Sequence, residues 1–179
     1  RACPRAPIMA APHRRARLKA LPAVLAAAIL LLTASCGGAA RRGDDALQAS
    51  CWAWSDGYLE SVLSAAAALR EDNAPAAAYL TGGYTWPVTT EQRLRIGNAG
   101  YHACQSALGP VFDVNSAHHA ACNGPSRDHA LAQADGIVML QARRAALDGV
   151  TTSGTWNTAT RAAAPYAGAY ANCMAGHTP

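Results

Sequence analysis

Apolar residues recur along this chain in steps of three and four, the spacing that lines them up on one side of an α-helix. The clearest stripe is Leu47, Cys51, Trp54, Tyr58, Val62, Ala65 and Leu69, which predicts a long first helix from Asp44 to about Asp72. Asp45 and Gln48 have the spacing of a capping box, and Asn73-Ala74-Pro75 ends the helix because a residue before proline is pushed out of the helical region. Ala76 to Leu80 fit a short helical turn closed by Gly82-Gly83, and Tyr84 to Val88, short and holding Pro87, read as an extended loop. Thr89 with Gln92 opens a second long helix whose stripe is Leu94, Gly97, Tyr101, Cys104 and Leu108, ending at Gly109-Pro110. After an irregular connection from Val111 to Pro125, Ser126 is expected to cap a third helix, Arg127 to Asp148, with Leu131, Ala134, Val138, Ala142 and Ala145 inward. Asn157 is expected to cap the last helix, with Ala159, Ala163, Tyr166, Tyr170 and Cys173 inward and Gly176 at its end.

Four amphipathic helices joined by loops predict an all-α domain over residues 44–179, an antiparallel four-helix bundle. The cysteines refine that expectation. Four of them, Cys51, Cys104, Cys122 and Cys173, fall within the helical region, and four cysteines allow three pairings. In an up-down-up-down bundle the start of the first helix meets the end of the last, which pairs Cys51 with Cys173. Cys104 and Cys122 then flank the second loop and pair locally. Each bridge is worth about 2–4 kcal/mol, a large share of stability for a core this rich in alanine.

Ahead of the bundle the pattern changes. Arg14, Arg15, Arg17 and Lys19 precede an apolar run from Ala23 to Leu32, and small residues follow it, which is the anatomy of a secretory signal over residues 1–35. Met9 is read as the start, with residues 1–8 upstream of it. Ala20 to Ser35 is 16 residues, shorter than the roughly 20 that cross a bilayer core as a helix. Leu32-Thr33-Ala34-Ser35-Cys36 resembles the lipobox of bacterial lipoproteins. That resemblance implies cleavage before Cys36, a diacylglyceryl group on its sulfur and an acyl chain such as palmitate on the new amino terminus. Several chains together hold a protein at a membrane where one would not. Residues 36–43 would then be a lipidated tether, and the protein would live in the bacterial cell envelope, facing the periplasm or the exterior. The arginine pair also resembles a twin-arginine export signal, so the export route stays open.

Charge alters the picture once the signal is set aside. The whole chain carries a formal +4, but from Cys36 onward nine arginines and no lysine face eleven acids, a net −2. No basic footprint for nucleic acid remains. No C-x-x-C occurs, which argues against a thioredoxin-like pair, a zinc ribbon and c-type haem attachment, and no cofactor is implied.

Candidate chemistry is thin. His118, His119, Cys122 and His129 gather within twelve residues, but Cys122 is needed for a disulfide and no Glu-x-x-His supplies carboxylate ligands, so no metal site is assigned. Ser126-Arg127-Asp128-His129 holds the residue types of a hydrolase without a G-x-S-x-G elbow, and neighbours in one helical turn point apart, so no catalytic residue is assigned either. Tyr84, Trp86 and Trp156, expected in loops, form the candidate binding surface for an envelope protein or a glycan. The expected role is therefore that of a lipid-anchored binding or structural module and not an enzyme. The alternative is an envelope enzyme or metal-binding protein built on His118, His119, Ser126 and His129.

Overall fold

Five helices and no strand make up the described part of the molecule: α1 (Ala23–Leu69), α2 (Ala74–Thr81), α3 (Thr90–Leu108), α4 (His119–Leu147) and α5 (Thr155–Met174). The computed structural model describes the backbone of residues 23–83 and 85–176, and side chains from residue 42 onward within those spans. The basic segment with Met9, the side chain of Cys36 and the whole of Tyr84 lie outside the described residues. By close backbone approach the chain divides after Gly38, and the bundle lies within the unit that begins at Ala39.

The described part is all-helical and carries two disulfides, but their partners differ from the expected ones. Cys51 bonds Cys104, and Cys122 bonds Cys173; the pairings Cys51–Cys173 and Cys104–Cys122 do not form. The reason lies in which helices are neighbours. α1 runs antiparallel to α3, held by the Cys51–Cys104 bridge and by Ser55 Oγ, which donates to the Gly97 carbonyl at 2.6 Å. α4 runs antiparallel to α5 through Cys122–Cys173, and α5 packs against both α3 and α4. α1 and α4 lie side by side in parallel, with Asn123 Nδ2 donating to Ser50 Oγ at 2.9 Å and Gly57 against Leu131. Around the bundle the order is thus α1, α3, α5, α4, and the connection 109–118 has to cross from α3 to a helix beyond α5. All four cysteines do gather at one end, as an up-down-up-down chain requires. That requirement is met by every pairing, so only the neighbour order selects the real one.

The stripe predicted for α1 is the one buried: Cys51, Trp54, Tyr58, Val62, Ala65 and Leu69 are in the core, with Leu47 packed against its edge. In α4 and α5, Ala134, Val138, Ala142, Ala145, Ala159, Ala163, Tyr166 and Tyr170 are buried as expected. In α3 the predicted stripe holds at Cys104 and Leu108, with Tyr101 against the core's edge, but not at its start. Leu94 is 61 % exposed, and Ile96, Gly100, Ala103, Cys104 and Leu108 face inward with Gln92. Gly100 is what lets α3 approach α1, because a β-carbon there would lie 2.8 Å from Tyr58 Cδ1 and 3.0 Å from Ser55 Oγ. The largest fully buried side chains are Trp54, Tyr58, Tyr166 and Tyr170, and Trp54 stacks on Tyr58 with centroids 5.2 Å apart. Most other core positions are alanine, so these aromatics, each burying about 150–250 Å², supply much of the apolar area.

Helix boundaries differ from expectation in three places. α1 runs from Ala23 to Leu69 and so passes through residues 37–48, and Asp45 and Gln48 do not start a helix. α4 begins at His119, with Pro125 inside it, so Ser126 is interior and caps nothing. Its early turns are pinned from outside by Cys122–Cys173 and by the Asn123 contacts, which offset the hydrogen bond that Pro125 removes. α5 begins at Thr155 behind Gly154, so Asn157 lies in its first turn. Elsewhere the capping chemistry is the expected one. Thr89 and Gln92 form a capping box, and Asn73 Oδ1 accepts from the Ala76 amide to start α2.

Buried tyrosine hydroxyls tie the helices together. Tyr166 Oη donates to Asn123 Oδ1 at 2.6 Å, which extends the Ser50–Asn123 link across α1, α4 and α5. Tyr170 Oη meets His119 Nδ1 at 2.9 Å and accepts from the Asp113 amide at 3.3 Å, and Phe112 stacks on its ring, so this side chain fastens the crossing connection. Burial pushes the Tyr166 phenol up to about 12, and it raises those of Tyr58 and Tyr170 as well. In the unfolded chain these phenols ionise near 10. Below that pH they add nothing to the pH dependence; above it the unfolded chain releases protons first, so stability falls as pH climbs from about 10 toward 12. Urea denaturation across pH 8–11.5 is expected to show that decline, with a shallower slope in Tyr166→Phe. The same variant should lose about 1 kcal/mol at pH 7 with its Asn123 hydrogen bond. Parallel slopes for the two proteins would show that Tyr166 is not the group responsible.

Candidate functional site

An open groove of about 640 Å³ lies where the last turns of α4 meet the first turns of α5, with Tyr79 of α2 at its base. Gln141, Arg144, Ala145 and Asp148 recur at helical spacing and present one face of α4 to it. Across the 149–154 connection, Trp156 with Thr160 and Asn157 with Arg161 are two i, i+4 pairs that present a face of α5. Trp156 is 50 % exposed although its neighbours Thr155 and Thr158 are buried, so an aromatic ring stands half in water beside polar side chains.

Gly154 sets the depth of this groove. Its amide donates to the Tyr79 carbonyl at 2.9 Å, and a β-carbon at this position would fall inside the Tyr79 ring. The close approach brings α2 under the start of α5 and leaves Tyr79 as the floor. Ser153 Oγ and Thr155 Oγ1 share a hydrogen bond at 2.6 Å that closes the turn. The charges are unbalanced. Arg144 Nε lies 3.8 Å from Asp148 Oδ2 with both side chains largely in water, a pair that contributes little, and no carboxylate pairs with Arg161 among the described residues.

The residues singled out in the sequence are not brought together. Trp86 is 43 % exposed and lies under the Arg70 guanidinium, 5.2 Å from the ring centroid, and no ring contact joins it to Trp156 among the described residues. Trp156 is in the first turn of α5, not in a loop. The loop bearing Trp86 is held by Gln92, whose amide donates to the Gly83 carbonyl at 3.0 Å while its oxygen accepts from Thr85 Oγ1 and the Thr89 amide. A third exposed tryptophan, Trp52, stacks on Tyr101 at 4.2 Å on the α1–α3 face.

Ser126 is fully buried and its hydroxyl has no partner among the described residues; Asp128 pairs with Arg127, and His129 shares a hydrogen bond with Gln133. His119 is engaged by Tyr170. No group of three or more His, Cys, Asp or Glu side chains able to hold a metal occurs among the described residues.

Arg144, Arg161, Gln141 and Tyr79 escaped the sequence reading. The two α5 pairs were legible as a polar face bearing one tryptophan, but their meeting with α4 needed the helix packing. Comparison with family models, with curated proteins and with solved structures returns no match. Gly154→Ala is expected to lower stability by about 1–3 kcal/mol, since the Tyr79 ring must move from its seat. Thermal unfolding followed by circular dichroism measures it, and an unchanged midpoint would show that the approach is not tight.

Proposed function

We propose that this chain is an exported, lipid-anchored module of the bacterial cell envelope that acts by binding. The observation that carries the reading is the fate of its cysteines. Every cysteine of the bundle is consumed in a disulfide between different helices, an arrangement that belongs to an oxidising compartment. Cys36 stands apart from the bundle cysteines, directly after the apolar run and small residues that end a signal, and serves as the lipid attachment point. Acyl chains on Cys36 provide the membrane attachment in this reading. The partner is an envelope protein or glycan. Binding is favoured over catalysis by the groove itself, which offers a stacking ring and hydrogen-bonding side chains without a nucleophile beside a base.

Intact-mass spectrometry of protein extracted from membranes in detergent tests this reading. The expected mass is that of a chain starting at Cys36 plus diacylglyceryl and acyl groups, and Cys36→Ser should abolish both the cleavage and the lipid. A chain of unmodified mass, or one that keeps the residues before Cys36, contradicts the proposal.

A further inference from the structure

Resting on the envelope-binding reading, the groove between α4 and α5 narrows the class of ligand. Its net charge is positive on a domain that is otherwise negative: Arg144 and Arg161 line it against the single carboxylate of Asp148. The Arg144–Asp148 pair is loose and water-exposed, and Arg161 carries a guanidinium with no ion pair among the described residues. A guanidinium presents planar donors that match the two oxygens of a carboxylate. Trp156 adds the second element, a half-exposed ring on the same helical face, where the apolar side of a flat ring can shed water by stacking. Asn157 and Gln141 add the third, amides that both donate to and accept from hydroxyl groups. The lining sets Trp156, Val150 and Ala145 among a majority of polar side chains, which suits a hydroxylated ligand better than a lipid chain or a heteroaromatic base.

We propose that this groove binds a saccharide bearing a carboxylate. Trp156 stacks on the face of a pyranose, Arg161 takes the carboxylate with Arg144 beside it, and Asn157 and Gln141 hold ring hydroxyls. Two sources in an envelope share that chemistry, the wall-polymer sugars whose lactyl carboxylate carries no peptide and the uronates of polysaccharides.

Isothermal titration calorimetry of the full native chain in detergent, with N-acetylmuramic acid in one arm and tetragalacturonate in the other, tests the assignment and identifies the source. Binding in either arm is expected, weakened at least about tenfold when the carboxylates are methyl-esterified, because a charge-assisted hydrogen bond is then lost. It should also weaken as salt rises. Arg161→Gln should reproduce the loss for the acid while leaving the ester unchanged, and Trp156→Ala should weaken acid and ester alike. Both substitutions fall on exposed positions, and an unaltered melting curve shows that the fold is kept. Equal binding of acid and ester, binding that survives both substitutions, or inorganic phosphate competing as well as the saccharide overturns the proposal. A lipid-bearing, disulfide-intact protein that binds in neither arm overturns this ligand assignment alone and leaves the anchored module standing.

Discussion

Four sulfur atoms meeting in pairs at one end of the bundle govern the rest of the molecule. The core they secure is built largely of alanine, which lets helices approach closely but removes little apolar surface per residue from water. The two bridges span 53 and 51 residues. Loops of that length place the entropic stabilisation at about 4 kcal/mol each, comparable with the whole net stability of a small domain. Each bridge joins an antiparallel pair, α1 with α3 and α4 with α5. The polar chain Ser50–Asn123–Tyr166 and the packing of α5 on α3 then join the pairs to each other.

At the opposite end the same helices are free of covalent restraint, and there the structure relies on close approach instead. Gly154 seats α2 beneath α5 through Tyr79, and Gln92 holds the loop before α3 with three hydrogen bonds. The groove opens at this end. Stapling one end of a bundle while shaping the other around a half-exposed tryptophan separates stability from recognition along one axis of the fold.

How much of this was legible in the sequence depended on whether a pattern was local. The α1 stripe from Cys51 to Leu69 and the Thr89–Gln92 box follow from neighbouring residues, and both form as read. In α3 the apolar character of Leu94 was misleading, because the buried face there starts from a hydrogen-bonding glutamine and Ile96 and continues through a glycine whose value is its lack of a side chain. The first turns of α4 looked like loop because of Pro125, and only the distant Cys173 and Tyr166 make a helix stable there. Disulfide partners and the groove were beyond reach for one shared reason. Both depend on α5 lying between α3 and α4, a fact about helix order that no spacing within a helix encodes.

Mass mapping of peptides from the native protein, digested without reduction, bears most directly on that order. Peptides linking Cys51 to Cys104 and Cys122 to Cys173, with no free thiol among these four, are the predicted result. Peptides linking Cys51 to Cys173 would contradict the helix arrangement, and the four cysteines recovered as free thiols would contradict the oxidising compartment proposed from the bridges.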